Sequence, residues 1–119
     1  MDTRPKTIIC DIDGTLVEHQ PLHTNTVETA DLKLLPGTIQ KLSEWEMRGY
    51  KIILITGRKE SMRVSTEAQL KRAGIFYDVL IMGVGGGARY LINDKKPDGA
   101  ETAFSINLIR NIGIENIEI

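Results

Sequence analysis

Two aspartates that follow a short apolar run are the residues of this 119-residue chain best suited to chemistry. Asp11 and Asp13 stand two positions apart, directly after the apolar segment 6–10. Alternate side chains of an extended chain point to the same side, about 6–7 Å apart. Carboxylates at that spacing can hold one hard cation, or one can act as a nucleophile while the other exchanges protons. A solvated acidic turn has the same pattern, so the chemical interpretation needs support from other residues.

Polar residues also follow two later apolar runs. The run 51–55 ends in the tripeptide Thr-Gly-Arg at 56–58, and the run 90–92 ends in Asn93 and Asp94. A hydroxyl beside flexible backbone N–H groups suits a phosphoryl oxygen, and amide or carboxylate oxygens suit a cation. Ligands of open α/β sheets bind at the carboxyl ends of the strands. The three run ends therefore predict one site for a cation and a phosphate.

The elements that must position these residues alternate along the chain. Predicted strands are the short apolar runs at 6–10, 51–55, 78–82, 90–92 and 114–119. Predicted helices are the segments with helical apolar spacing at 36–48, 60–73 and 99–111. Continuous apolar runs are typical of strands buried on both faces. The alternation predicts right-handed crossovers and an α/β fold, a three-layer, Rossmann-like parallel sheet flanked by helices.

The composition limits the class of protein. With 15 basic and 16 acidic residues the formal net charge is -1, so we expect no nucleic acid and no membrane as a partner. The length predicts a single domain over residues 1–119. Cys10 is the one cysteine and cannot form an internal disulfide, and no apolar run is long enough for a signal peptide or a membrane span. These features predict a cytoplasmic location.

Three segments together resemble a known family. DIDGTL at 11–16, ITGR at 55–58 and LINDKKPD at 91–98 resemble motifs I, II and IV of the haloacid dehalogenase-like (HAD) superfamily, in the same order. The resemblance covers nearly the whole chain. It implies a HAD-like core in the small capless phosphatase subgroup, because only a loop-sized segment at 15–36 and one helix at 58–78 stand where caps are inserted. An open site suits a bulky substrate or a homo-oligomer in which a second copy covers the site.

The resemblance implies a magnesium-dependent phosphomonoester hydrolase with a small phosphorylated substrate, for example a sugar phosphate of a polysaccharide pathway. Asp11 would be the nucleophile that forms an aspartyl-phosphate, and Asp13 would be the general acid and base. Thr56 and the Gly57 amide would hold the phosphoryl group. Mg²⁺ would bind the Asp11 carboxylate, the Asp13 backbone carbonyl and an acidic residue of the last motif.

Two positions depart from the family pattern. Asn93 stands where small members carry the first of two aspartates, so either Asn93 or Asp94 is expected as the remaining metal ligand. The stretch 83–88, where the family normally has a lysine, contains no cation. Arg89 is the nearest replacement for binding phosphate, and Lys96 beside the last motif is a second candidate.

Three other functions remain open at this point. A phosphotransferase would use the same aspartyl-phosphate and pass the phosphoryl group to an acceptor other than water. Asn93 and the lysine-free stretch also fit a catalytically weak phosphate-binding or regulatory module. A response-regulator-like receiver also phosphorylates an aspartate, but its acceptor follows a later, central strand instead of the first one.

Overall fold

A parallel sheet with two α-helices forms the regular part of the computed structural model, which describes residues 2–19 and 30–119. The elements in chain order are β1 (Thr7–Asp11), α1 (Thr38–Met47), β2 (Lys51–Ile55), a short 3-10 helix (Glu60–Met62), α2 (Arg63–Ala73) and β3 (Val79–Ile81). The strands lie in the order β1-β2-β3 and all pair in parallel. The predicted α/β class and parallel sheet are therefore confirmed.

The strand register brings the ends of the first two strands together. β1 pairs with β2 from Thr7 opposite Lys51 to Asp11 opposite Ile55. Because parallel strands share their carboxyl edge, the residues after Asp11 and those after Ile55 leave the sheet side by side. The two motifs that the sequence placed at one site therefore meet at one edge of the sheet.

One face of the sheet packs against both helices. Two same-handed crossovers that run in the same direction place α1 and α2 on the same face. Alternate strand residues point to that face and join helix residues in a single core, made by Ile8, Cys10, Ile52, Leu54 and Leu80 with Leu42, Trp45 and Leu70. None of the helices found in residues 2–19 and 30–119 is both long and apolar enough to cross a membrane.

The second helix buries a polar side. The segment 60–73 is helical as predicted, with one 3-10 turn before α2. Val64, one of the apolar residues of this segment, is 83% exposed, whereas Thr66 and Gln69 are buried, as is Leu70. Buried hydroxyl and amide groups need hydrogen-bond partners, and these residues find one at the sheet edge, as described below.

The regular elements predicted in the last third of the chain do not form. Residues 83–119 contain no strand and no helix, so the strands predicted at 90–92 and 114–119 and the helix predicted at 99–111 are wrong. The Thr102 hydroxyl donates to the Asp94 carbonyl, which precedes the predicted helix, at 2.5 Å. Short helices need an apolar partner surface, and Phe104 is 78% exposed.

Backbone hydrogen bonds nevertheless attach the end of this irregular segment to the loops around β1 and α1. The Asn111 N–H donates to the Gly14 carbonyl at 2.9 Å, and the Ile114 N–H donates to the Pro36 carbonyl at 3.0 Å. The Ile114 side chain is fully buried in the core. Residues 110–114 therefore have a defined position beside the loop that follows β1.

Candidate active site

A tight turn after β1 presents the two aspartates. Gly14 has a φ of 85°, a left-handed conformation that other residues rarely adopt, and its N–H donates to the Val17 carbonyl at 2.7 Å. The Leu16 N–H donates to the Ile12 carbonyl at 2.9 Å, and both of these side chains are fully buried. The backbone around Asp13 is thus fixed from the sheet side.

The Asp11 carboxyl lies partly buried at the end of β1. Burial raises its pKa above the usual range, because a charged carboxylate loses hydration. The positive charge of Arg89 acts in the opposite direction, whereas the neighbouring Asp13 raises the pKa further. The Thr15 hydroxyl is 3.5 Å from Asp11 Oδ2. Asp11 is therefore a poorly hydrated carboxylate whose charged form depends on cations nearby.

Asp13 is held by a buried arginine. Arg58 Nη2 donates to Asp13 Oδ1 at 2.9 Å, and Arg58 Nε donates to Asp13 Oδ2 at 3.1 Å. The Arg58 side chain is 1% exposed and that of Asp13 is 14% exposed. A bidentate arginine–carboxylate pair fixes both the position and the plane of the carboxylate. Asp13 therefore points in one direction at the edge of the site.

Helix α2 holds the other side of Arg58. Arg58 Nη1 donates to Thr66 Oγ1 at 3.1 Å and to Gln69 Oε1 at 2.6 Å. Gln69 Nε2 in turn donates to the Ala30 carbonyl at 2.7 Å. The sequence placed Arg58 at the end of the run 51–55 but gave no sign of this network, because most residues of the stretch 63–73 are polar and nothing distinguishes Thr66 and Gln69 among them.

Thr56 and Gly57 form the floor beside the glycine-rich stretch. The buried Thr56 hydroxyl accepts the Arg58 N–H at 3.1 Å, and the Thr56 carbonyl accepts the Val84 N–H at 3.0 Å. A side chain on Gly57 would begin 3.6 Å from the Gly85 carbonyl oxygen. The backbone after β2 and the stretch after β3 therefore pack closely and leave their glycines at the site.

These residues share one cleft of about 200 Å³. Its lining consists of Asp11, Asp13, His19, Thr56, Gly57, Arg58, Gly85, Gly86, Arg89 and Arg110. Five of the residues selected from the sequence are therefore brought together: Asp11, Asp13, Thr56, Gly57 and Arg89. Arg110 had not been selected, and no local motif marks it, because only the return of the irregular segment to the Gly14 turn places it here.

Asn93, Asp94 and Lys96 do not line this cleft. The strand expected to carry Asn93 and Asp94 to the sheet edge is not formed, and Asn93 Nδ2 instead donates to the Thr102 hydroxyl at 2.6 Å. Lys96 Nζ lies 2.5 Å from Asp2 Oδ2, in an ion pair near the amino-terminal segment. The structure thus separates these three predicted residues from Asp11 and Asp13.

The donors at the cleft fit a magnesium ion in part. Residues 2–19 and 30–119 contain no cluster of three or more histidine, cysteine or acidic side chains that would hold a metal. Both Asp13 carboxylate oxygens accept hydrogen bonds from Arg58, so the Asp11 carboxylate is the main anionic donor in the cleft. Mg²⁺ often binds through only one or two carboxylates and completes its shell with water and substrate phosphate.

Comparison with protein families identifies one match. The family model described as "Polynucleotide kinase PNKP phosphatase domain" of the HAD group matches residues 5–90, which include Asp11, Asp13, Thr56, Gly57 and Arg89. Among the curated proteins, none matches this chain. The HAD resemblance predicted from the sequence motifs is therefore confirmed.

Solved structures agree with this assignment. A chain of the Pnkp1/Rnl/Hen1 complex is 34% identical over 72% of this chain, with a TM-score of 0.57. A second structure, of the Pnkp1/Rnl/Hen1 RNA repair complex, is 36% identical over 66%, with a TM-score of 0.55. This chain spans only 30% and 25% of the lengths of those two. A crystal structure from Vibrio cholerae, 20% identical over 89% of this chain and 84% of its own, has a TM-score of 0.51 and supports the fold alone.

These findings correct the expected partners. The partners expected from the sequence were a small phosphorylated substrate, no nucleic acid and no membrane, with a homo-oligomer as one way to cover the open site; the expectation that nucleic acid is not a partner is wrong. The matched family is named for polynucleotides, and two similar structures come from an RNA repair complex. The physical reason for the error is that net charge averages the whole chain, whereas Arg89 and Arg110 both line the cleft, where Arg58 is already paired with Asp13.

Proposed function

We propose, because the chain belongs to the HAD family of polynucleotide kinase phosphatase domains, that this phosphatase removes a terminal phosphate from a polynucleotide. The observation that supports this proposal is the convergence of Asp11, Thr56 and Arg89 in one cleft at the carboxyl edge of the sheet. We further propose that residues 1–119 act as one catalytic domain. The cytoplasmic location expected from the unpaired Cys10 stays a prediction.

In the first step, a carboxylate oxygen of Asp11 attacks the phosphorus in line with the leaving oxygen of the nucleotide. The new bond makes an aspartyl-phosphate, and the bond from phosphorus to the leaving oxygen breaks. Asp13, which carries a proton only while one of its oxygens is released from Arg58, gives this proton to the leaving oxygen. Thr56 and the Gly57 N–H hold phosphoryl oxygens, and Arg89 stabilises their negative charge.

In the second step, water attacks the phosphorus of the aspartyl-phosphate. Asp13, now ionised, takes a proton from this water, and the Asp11 carboxylate leaves to regenerate the starting enzyme. Asp13 exchanges a proton only when one of its oxygens is released from Arg58, since both accept hydrogen bonds in the structure. Arg58 therefore orients the acid and base and returns it to its starting position.

Magnesium is the cofactor we propose for this site, with the Asp11 carboxylate and the Asp13 carbonyl as its protein ligands. When bound, it would neutralise charge on the phosphoryl oxygens and on Asp11. The raised pKa of Asp11, which is due to burial, indicates a carboxylate that gains from such a cation. Water and substrate would supply the remaining ligands.

The test is phosphate release from single-stranded oligonucleotides with a 3′- or a 5′-terminal phosphate, with a small sugar phosphate for comparison, in the presence of Mg²⁺. We expect release from one type of oligonucleotide end, none with Asp11→Asn and parental activity with Asp31→Asn. Asp31 is an exposed carboxylate paired with Arg72, outside the cleft, and is the matched control. Equal activity of Asp11→Asn and the parent would refute the nucleophile assignment.

One observation favours a second function, a phosphate-binding module with little turnover. Within the described residues the cleft contains two acidic side chains, and one of them is engaged by Arg58. A poor magnesium site would retain phosphate binding while slowing both chemical steps. Mg²⁺-dependent binding of a phosphorylated oligonucleotide without any phosphate release would favour this function over the phosphatase.

A further inference from the structure

We propose that Arg110 determines the preference of this cleft for a polynucleotide end by binding the phosphodiester that precedes the terminal phosphate. This inference rests on the proposed function and names a residue that recognises its substrate class. Arg110 lies outside the matched family segment 5–90, so no role for it carries over from that match. The role proposed for Arg110 depends only on where the irregular carboxyl-terminal segment places this residue.

The backbone of Arg110 is anchored to the loop that carries the aspartates. The next residue, Asn111, donates its N–H to the Gly14 carbonyl at 2.9 Å, and its side-chain Oδ1 accepts the His19 N–H at 2.8 Å. Asn111 has a φ of 67°, a left-handed conformation that is uncommon for a residue with a side chain. Two hydrogen bonds to one loop therefore hold Asn111 in place, and Arg110 with it.

The aliphatic part of Arg110 crosses directly over the turn. A Cβ on Gly14 would lie 3.2 Å from Arg110 Cγ and 3.9 Å from Arg110 Cδ. The absence of a side chain at position 14 thus makes room for the arginine stem. The stem packs against the backbone of the turn, and Arg110 belongs to the lining of the cleft.

Charges in the cleft leave Arg110 available for an anion. Asp13 is paired with Arg58, and Arg89 faces the charge of Asp11. Within residues 2–19 and 30–119, no carboxylate lies within 4 Å of the Arg110 guanidinium. Three arginines against two aspartates give the lining an excess of one positive charge, apart from His19 and any metal.

Arg89 and Arg110, which form no ion pair within 4 Å among residues 2–19 and 30–119, contact different segments of the lining, and this arrangement suits two phosphates better than one. Arg89 Nη2 donates to the Gly85 carbonyl at 3.3 Å, on the glycine-rich wall beside Gly57. Arg110 stands on the Gly14 wall. A guanidinium binds phosphate through two parallel N–H groups, so each arginine can serve one phosphate. A phosphomonoester without a neighbouring phosphodiester would use Arg89 and leave Arg110 unoccupied.

The experiment measures binding in an Asp11→Asn background, so that substrate is not consumed. Fluorescence anisotropy measures the binding of a labelled single-stranded oligonucleotide across about 50 to 200 mM salt. The oligonucleotide carries the terminal phosphate that the parent removes. If the parent removes neither, the 3′- and the 5′-phosphorylated oligonucleotides are both measured. Adding Arg110→Gln should weaken oligonucleotide binding about tenfold, as expected for one charge-assisted hydrogen bond. The slope of log affinity against log salt should become less steep by about 0.7, the value for one phosphate contact on a single strand.

Comparison ligands and variants separate recognition from general damage. Binding of a nucleoside monophosphate should weaken much less than binding of the oligonucleotide when Arg110→Gln is added. Arg110→Lys should restore most of the salt slope, because it keeps the charge. Arg72→Gln removes an exposed arginine on α2, outside the cleft, and should leave affinity and slope unchanged.

The outcomes distinguish this inference from the proposed function. If the parent releases phosphate from the oligonucleotide and Arg110→Gln leaves the salt slope unchanged, the phosphatase assignment stands and the role of Arg110 is wrong. Equal weakening for the oligonucleotide and the nucleoside monophosphate also contradicts it. If no oligonucleotide is hydrolysed but its binding depends on Arg110 with the stated slope, the catalytic proposal fails and the recognition role stands.

Discussion

Arg58 connects the candidate acid and base to helix α2, and its removal should have a large and asymmetric effect on stability. Its guanidinium makes two hydrogen bonds to Asp13 and one each to Thr66 and Gln69. Arg58→Met keeps much of the volume but removes all four. Asp13→Asn removes the charge of the partner and leaves the guanidinium in place. The two single variants and the double variant form a thermodynamic cycle.

The magnitudes follow from the exposure of each partner. Loss of one member of a buried ion pair costs about 3–5 kcal/mol, because the other charge is left without compensation. Asp13 is 14% exposed and borders the cleft, so water can rehydrate it and Arg58→Met should cost about 3 kcal/mol. Arg58 is 1% exposed, so Asp13→Asn should cost more, about 4 kcal/mol. The double variant leaves no buried charge and should cost about 4 kcal/mol instead of about 7.

Denaturant unfolding of the four proteins at neutral pH measures this coupling, with thermal unfolding as a second measurement. A loss of about 3 kcal/mol is a large part of the stability of a small domain, so the midpoint of unfolding should fall clearly. Arg72→Gln breaks the exposed pair with Asp31 and is the control, with an expected change below about 1 kcal/mol. Additivity of the two single variants within about 0.5 kcal/mol would refute the idea that the pair acts as a unit.

Four further results are expected. Gly14→Ala should lower the free energy of unfolding by about 1–2 kcal/mol in thermal unfolding, because the φ of 85° is left-handed and a Cβ would press on Arg110. Gly87→Ala is the control and should change stability little, because a Cβ there meets no atom within 4 Å. Asp11→Asn should be more stable than the parent at pH 7, because burial raises the pKa of the folded carboxyl and its ionisation therefore costs stability. In thermal scans this advantage should shrink as the pH falls from the raised folded pKa to the unfolded value of about 3.9. A difference in stability that does not depend on pH would contradict this. Mg²⁺ should raise the melting temperature of the parent but not of Asp11→Asn, and equal shifts would place the ion elsewhere. Leu70→Ala should cost about 2–5 kcal/mol in denaturant unfolding and Val64→Ala, on the exposed side of the same helix, less than about 0.5 kcal/mol; similar losses would contradict the burial assigned to α2.

Local patterns were sufficient for the first two thirds of the fold. The apolar runs at 51–55 and 78–82 lie on β2 and β3, and the helical spacing at 36–48 lies on α1. Continuously apolar strands and helices that end at glycines are specified by residues close in sequence, so they can be predicted without knowledge of tertiary contacts. The burial of Thr66 and Gln69 on α2 could not be predicted from the sequence, because it depends on hydrogen bonds to Arg58, which lies outside the helix.

The last third shows where such patterns fail. Residues 99–111 have helical apolar spacing, yet no helix forms there. Spacing reports that a segment has an apolar side, but the free energy that stabilises a short helix comes from the surface it packs against. Position 90 makes the same point for a strand, since Tyr90 is 90% exposed and pairs with no neighbour in the sheet.

The sequence by itself predicted the residues of the candidate site: Asp11 ends β1, Asp13 and Thr56 follow β1 and β2, and the parallel pairing of these strands places all three at one edge. This prediction needs only local information, because residue types and the ends of apolar runs can be identified from consecutive positions in the sequence. The tertiary structure alone decided the electrostatics, since it turned Arg58 inward to Asp13 and returned Arg110 to the cleft from the far end of the chain. Coulombic interactions depend on distance in space and on burial, and neither quantity is encoded in the spacing of residues along the chain.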